Sequence, residues 1–129
     1  MATLRVTVVS PEREVFSGQA DMVVARGVDG EVGILAGHAP MLIELAIAPV
    51  RLLEGERETG KVLVDGGFLH VTPGREETRV DILAEHALLP AEVDAETARR
   101  RVRELEGTGD DAAEPELARA LMRAEHGTG

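Results

Sequence analysis

Apolar and β-branched residues recur with a period of two from Leu4 to about Leu83, in short runs separated by turn residues, the pattern of half-buried strands joined by hairpins. Leu4, Val6 and Val8 alternate with Arg5 and Thr7 ahead of the turn Ser10-Pro11-Glu12-Arg13. Val15 and Phe16 precede Gly18, and Ala20, Met22 and Val24 lead to an Asp29-Gly30 turn. Ile43, Leu45 and Ile47 make one run and Val50 with Leu52 the next, before the turn sequence Gly55 to Gly60. Val62 and Val64 run into Asp65-Gly66-Gly67, read as a turn; Phe68 to Thr72 and Thr78 to Ala84 are the last strands. Asp-Gly pairs suit the positive φ that tight hairpins need. The runs Met22 to Ala25 and Met41 to Ile47 are apolar on both parities, so those strands are covered on both sides or face a partner.

Past Pro90 the period changes. Ala95, Ala98, Val102 and Leu105 fall at spacings of three and four, with Arg99, Arg100, Arg101 and Arg103 mostly off that stripe, which predicts an amphipathic helix over 93–106. Asp94 is its expected N-cap, Gly107 its stop, and Glu96 with Arg100 a favourable pair one turn apart. The acidic stretch 107–114 reads as a flexible link. Pro115 fits the first turn of a second helix that places Leu117, Ala118, Leu121 and Met122 on one face. Helices shorter than roughly 12 to 15 residues are marginal in water without packing, so this hairpin has to lean on something. Its larger anchors, Val102, Leu105, Leu117 and Leu121, stabilise docking by about 1.5 to 3 kcal/mol each, offset by ordering entropy. The predicted fold is mainly β with a small α appendage: an antiparallel β-sandwich or flattened barrel over residues 1–88, then a two-helix hairpin over 89–129.

Composition narrows the function. A chain of 129 residues accommodates one core plus an appendage, and 43% hydrophobic residues support a folded chain despite a net charge of −10. With 14 basic against 24 acidic residues the long-range field repels phosphate backbones and anionic lipid. Phe16 and Phe68 are the only aromatics, so neither base stacking nor a membrane interface belt is available. The absence of Cys removes disulfides and thiolate metal sites and is compatible with a reducing compartment. The N-terminal run has neither the charge pattern nor the apolar length of a signal peptide or membrane span, so membrane contact is expected only through another protein.

Reactive constellations are not visible. His38, His70, His86 and His126 are scattered, without the spacing of a metal site. Ser10 and Ser17 lack a nucleophile elbow and read as turn-forming residues. Glu76-Glu77 and Asp110-Asp111 lie in polar sequence where carboxylates stay solvated. Gly27, Gly30, Gly33 and Gly37 are not followed by the Lys-Ser/Thr and helix of a phosphate loop; Pro40 leads into a strand. The expectation is no catalytic residue, no metal and no cofactor. The segment Gly27 to Pro40 then reads as an exposed hairpin and shaped loop with Glu31 and His38 outward, serving either as a docking tip or as a plain connector.

A wider set of residues carries a resemblance. Ser10, Pro11, Phe16, Ser17, Gly18, Gly30, Glu31, Gly33, Ile34, Leu35, Gly37, His38, Pro40, Gly66, Gly67 and Phe68, with the C-terminal hairpin, make the chain similar to the epsilon subunits of bacterial F-type ATP synthases along essentially its whole length. The resemblance implies a non-catalytic central-stalk subunit that rotates with the gamma subunit and the polar loops of the c-ring, peripheral at the cytoplasmic face of the plasma membrane. It implies interface roles for Glu31, Gly33, Ile34, His38 and Pro40, with Glu31 toward the c-ring loops and His38 near gamma and the ring. It also implies a hairpin that exchanges between a folded and an extended position and hinders ATP hydrolysis. Arg99, Arg100, Arg101, Arg103, Arg119 and Arg123 are then candidates for meeting acidic surfaces of the alpha and beta catalytic subunits, against the plainer reading that they solvate a helix. An alternative is an ATP-binding regulatory sensor. Asp94 and Ala98 match the family's ATP motif, whereas Thr97 stands where that motif has Arg.

Overall fold

The computed structural model describes residues 3–108 and 114–128; residues 109–113 of the expected acidic link lie outside the described residues. Eight strands come first: β1 (Thr3–Val9), β2 (Glu14–Ala20), β3 (Met22–Gly27), β4 (Gly30–Leu35), β5 (Met41–Glu54), β6 (Arg57–Thr72), β7 (Glu77–Ala84) and β8 (Ala87–Leu88). A 3-10 turn (Pro90–Glu92) leads to α1 (Ala95–Thr108) and α2 (Glu114–His126).

The strands join in the order β2-β1-β7-β6-β5-β3-β4, with β8 added to β6. Neighbours are antiparallel except β1 and β7, which pair in parallel with Val6 opposite Val80. That pair corrects the all-antiparallel expectation: the local hairpin occupies one edge of β1, and the last long strand returns from far along the chain to occupy the other. Ser17 lies within β2 rather than in a turn, its hydroxyl accepting from Arg5, while Ser10 does close a turn onto Arg13.

Two expected strand breaks, between Ile47 and Val50 and at Asp65-Gly66-Gly67, are absent because β5 and β6 run for 14 and 16 residues as one long pair. Asp65-Gly66-Gly67 is a bend inside β6, not a turn. Gly66 and Gly67 take φ of 80° and 121°, and across the bend β6 changes neighbour, from β8 (Leu63 opposite Leu88) to β7 (Gly67 opposite Ala84). The Asp65 N–H donates to the His86 carbonyl at 2.8 Å and the Glu85 N–H to the Gly66 carbonyl at 3.2 Å, so the ladder stays satisfied. The two long strands thereby serve both layers of the sandwich.

Leu4, Val6, Val8, Val23, Ile34, Val62, Val64, Val80 and Ile82 are fully buried between the layers. On β6 the opposite parity is buried too: Leu63 packs with Val93 and Met122, alongside Ile47 and Leu88, beneath the helical hairpin. The doubly apolar run of β5 is therefore explained in two ways at once. Ile47 is covered by the hairpin, whereas Leu42 stays 66% exposed.

Helix α1 passes through Gly107 to Thr108, so Gly107 is not its stop. Arg100 reaches the Thr97 hydroxyl at 3.2 Å in place of the expected pair with Glu96. On α2 the predicted single face splits, because α2 lies against both α1 and β5. Ala120 and Met122 are buried, while Leu121 and Ala118 are exposed. The chain beyond α2 makes a clasp that periodicity could not foretell: the Thr128 N–H donates to the Val93 carbonyl at 3.0 Å and the Ala95 N–H to the Thr128 carbonyl at 2.9 Å. A Cβ at Gly127 would lie 2.6 Å from the Arg123 carbonyl oxygen and 2.9 Å from Val93 Cγ1, so only glycine fits the clasp unmoved.

At Gly67 a Cβ would collide with the Leu83 carbonyl oxygen and stand 2.8 Å from Ala84 Cα, both on the neighbouring strand. Gly67→Ala should therefore cost roughly 3 kcal/mol or more in urea unfolding, from clash and positive φ together. A loss below about 1 kcal/mol would show that the bend tolerates a side chain.

Candidate functional site

The segment singled out in the sequence is spread along an edge strand. The Val28-Asp29 loop joins β3 to β4, with Arg26 opposite Glu31 in the hairpin. Glu31 is exposed at the start of β4, and His38 lies beyond its far end, half-buried. At about 3.3 Å per residue, β4 alone separates these two ends by on the order of 15 Å, so Glu31 and His38 do not share one tip. The His38 region is held by backbone and core: the Gly37 N–H donates to the Thr78 hydroxyl at 2.8 Å, the His38 N–H to the Leu35 carbonyl at 3.1 Å, and His38 Nδ1 lies 2.7 Å from the Ala39 carbonyl. Gly33 and Pro40 are exposed, but Ile34 is 0% exposed between the layers and is not a surface residue. Its inward position follows from strand alternation against the exposed Gly33 and Leu35.

What links the two ends is the first stretch of β5. His38 and Pro40 lead into it, and the hairpin loop packs on it through the Val28 N–H donating to the Glu44 carbonyl at 3.0 Å. A shallow depression there is lined by Val28, Glu31, Leu42 and Glu44. Leu42 and Glu44 share the outer sheet face with Phe68, which sits opposite Leu83 on β7. Exposures of 66% for Leu42, 49% for Phe68 and 61% for Leu83 make this an apolar spot bordered by carboxylates. The sequence held two traces of it: the doubly apolar Met41 to Ile47 run, and Leu83 breaking the alternation set by Val80 and Ile82.

A second cleft, of about 510 Å³, lies between the helices and the sandwich and includes Asp94, Ala98, Arg101, Arg119 and Arg123. Asp94 caps α1, taking the Glu96 N–H at 3.0 Å and the Thr97 hydroxyl at 2.8 Å. Arg101 bridges the helices to Glu116 at 2.8 Å. Arg119 and Arg123, expected as outward contacts, instead turn inward to Asp65 on β6, at 2.5 and 3.2 Å. Arg99 and Arg103 remain exposed on α1. Glu92 ties this region to the first turn of the sandwich, accepting from Arg13 at 2.6 Å and from the Leu89 N–H at 2.8 Å. The Arg13 hydrogen bond, then that of Leu89, holds the Glu92 carboxyl below its ordinary range.

Among the described residues no cluster of His, Asp or Glu is placed to hold a metal, and no helix is long and apolar enough to cross a membrane. The molecule is thus a β-sandwich with an appended helical hairpin, distinguished by its outer contact surfaces. Residues 3–90 match the model of the ATP synthase delta/epsilon chain β-sandwich domain, and the chain belongs to that family. It is 46% identical over 124 residues to the ATP synthase epsilon chain of Thermobifida fusca, covering 93% of this chain and 88% of that one. The ATP synthase epsilon chain of Brevibacillus brevis is 48% identical over 100 residues, 77% of this chain and 72% of its own. Among solved structures, a chain of the Euglena gracilis mitochondrial ATP synthase superposes with a TM-score of 0.75 at 23% identity, covering 97% of this chain and 80% of that chain, a likeness of fold.

The Asp94 carboxyl is held below its ordinary range by the Thr97 hydroxyl first and the Glu96 N–H second. A carboxylate with a depressed folded-state pKa contributes stability above its unfolded value and loses it as pH falls through the folded one. Carboxyl NMR should therefore place the Asp94 midpoint below that of the same residue in the unfolded chain, with the Glu96 amide losing protection through the same acid transition. Equal midpoints would remove the cap's contribution.

Proposed function

We propose that this chain is a non-catalytic rotor subunit of an ATP synthase central stalk, coupling the gamma shaft to the c-ring during proton-driven ATP synthesis. The observation that carries the reading is the apolar face of Leu42, Phe68 and Leu83, left open beside the Glu31 hairpin while the rest of the β-rich core is filled. Aromatic and aliphatic anchors of this kind provide most of the free energy of a docking surface, and the carboxylates around them provide orientation. The apolar face meets gamma, with His38 and Pro40 at its border; Glu31 and Gly33 on the edge strand are the positions for the polar loops of the ring. The chain sits peripherally at the cytoplasmic face of the plasma membrane as part of the complex.

The division into a docking sandwich, residues 1–88, and a regulatory hairpin, residues 89–129, belongs to this reading. Support comes from the hairpin's small buried set, Val93, Ala95, Ala98, Leu105, Ala120 and Met122, half of which is alanine. Arg99, Arg100 and Arg103, exposed on α1, are placed to meet an acidic catalytic-subunit surface while the hairpin is folded. The reading of the hairpin as an ATP sensor has less support, since the guanidiniums of Arg119 and Arg123 already bind a protein carboxylate and Thr97 is bonded to Asp94.

Phe68→Asp combined with Leu83→Asp should abolish co-purification with gamma, weakening association at least 100-fold, whereas Arg57→Ala at the far end of the long hairpin should leave it unchanged. Unimpaired capture of the double variant would sink the assignment of this face. Reconstituted complex lacking residues 91–129 should hydrolyse ATP several-fold faster than complex with the whole chain; equal rates would remove the regulatory role.

A further inference from the structure

Asp65 is the buried charge that the stalk reading does not use. It lies on β6 immediately before the Gly66-Gly67 bend, with its side chain only 2% exposed. Its parity is that of Leu63, so it faces outward from the sandwich core, beneath α2. One carboxylate oxygen, Oδ2, accepts from Arg119 Nε at 2.5 Å and from Arg123 Nη2 at 3.2 Å. These arginines are one helical turn apart, so a single register of α2 places both over the carboxylate. Arg123 Nε is buried without a hydrogen-bond partner, so the guanidinium accepts a cost in order to hold this position.

We infer that Asp65 is an ionic latch that keys the helical hairpin to one docked register on the sandwich and holds it there. The chemistry favours such a role over simple adhesion. A desolvated carboxylate loses its hydration whenever the helix covers it, and only the two guanidiniums compensate. A hairpin docked one turn away would leave Asp65 buried with one of its two cations, and one rolled about its axis would bury it with neither. A hairpin lifted off entirely returns all three charges to water. The latch therefore penalises misdocked states most and leaves release as the accessible alternative, so the hairpin behaves as a two-position element. The apolar contact beneath it, Met122 and Val93 against Leu63, Ile47 and Leu88, is non-directional, whereas a point charge under a pair of arginines favours one register. The consequence for regulation rests on the proposed role of the hairpin; the latch itself needs only the docked state.

Hydrogen exchange of the isolated full chain, followed at α2 amides such as Ala120 and Met122, tests it. Asp65→Asn keeps size and shape and should raise the opening equilibrium of α2 about tenfold or more, the scale for losing one partner of a buried pair after discounting the part-exposed guanidiniums. Protection of Leu69 and Val80 in the sandwich should not change. Exchange at α2 within twofold of the parent chain would overturn the latch. Should Asp65→Asn also loosen Leu69 and Val80, the Arg119→Gln/Arg123→Gln variant, altered only on the helix, decides: selective opening of α2 supports the latch, and unaltered α2 protection overturns it. Gamma capture by the same variants reads the docking face separately, so failure of the latch and failure of the stalk reading give different results.

Discussion

The constraint on which the rest of this molecule depends is that β6 must stay hydrogen-bonded on both edges while bending from one layer of the sandwich into the other. Leaving a ladder group unpaired at that depth would cost as much as a lost buried hydrogen bond, so the bend has to occur where the backbone can turn without breaking the ladder. Gly66 and Gly67 allow it by adopting positive φ. Everything placed around them inherits that geometry: β7 and β8 divide the same edge of β6, Asp65 is raised under α2, and Phe68 emerges on the outer face beyond the bend.

Three surfaces of unlike chemistry result from one long strand pair. Between the layers, branched aliphatic side chains fill the interior from both sides. On the outer side of one half of β5 and β6, the hairpin covers Ile47 and Leu63. On the outer side of the other half, Leu42 and Phe68 are 66% and 49% exposed. The same strand face is thus a closed contact in one half and an open one in the other. The stalk role proposed above draws on this asymmetry, because a rigid sandwich holds an open apolar face in place without ordering entropy at the moment of docking.

The hairpin is attached by different forces from those that hold the sandwich. Its hydrophobic contribution is limited because half of its buried residues are alanines, with Val93, Leu105 and Met122 as the larger anchors. Polar contacts then decide where it sits: the Asp65 triad at α2, the Thr128 clasp on Val93 and Ala95, and Glu92 reaching both Arg13 and Leu89. Such contacts are directional, so they fix the position of the hairpin more sharply than its apolar contact does.

The strand period from Leu4 to Ala84, the helical stripe from Ala95 to Leu105 and the Asp94 cap were legible in the chain because they depend on neighbours two to four residues away. The family was legible as well, since its glycine and turn residues stand in fixed local order. Asp65-Gly66-Gly67 was misread for the same reason: locally it has the composition of a turn, and only the partner strands on both edges convert it into a bend. Ile34 and Glu31 belong to one short motif, but pairing of β4 with β3 sends the first inward and the second out. Arg119 and Arg123 look like solvated helix charges until folding brings them over a carboxylate 54 and 58 residues away. Local periodicity thus determined which segments became strands and helices. Long-range pairing decided which polar groups lost their water, because that depends on what the far end of the chain lays on top of them.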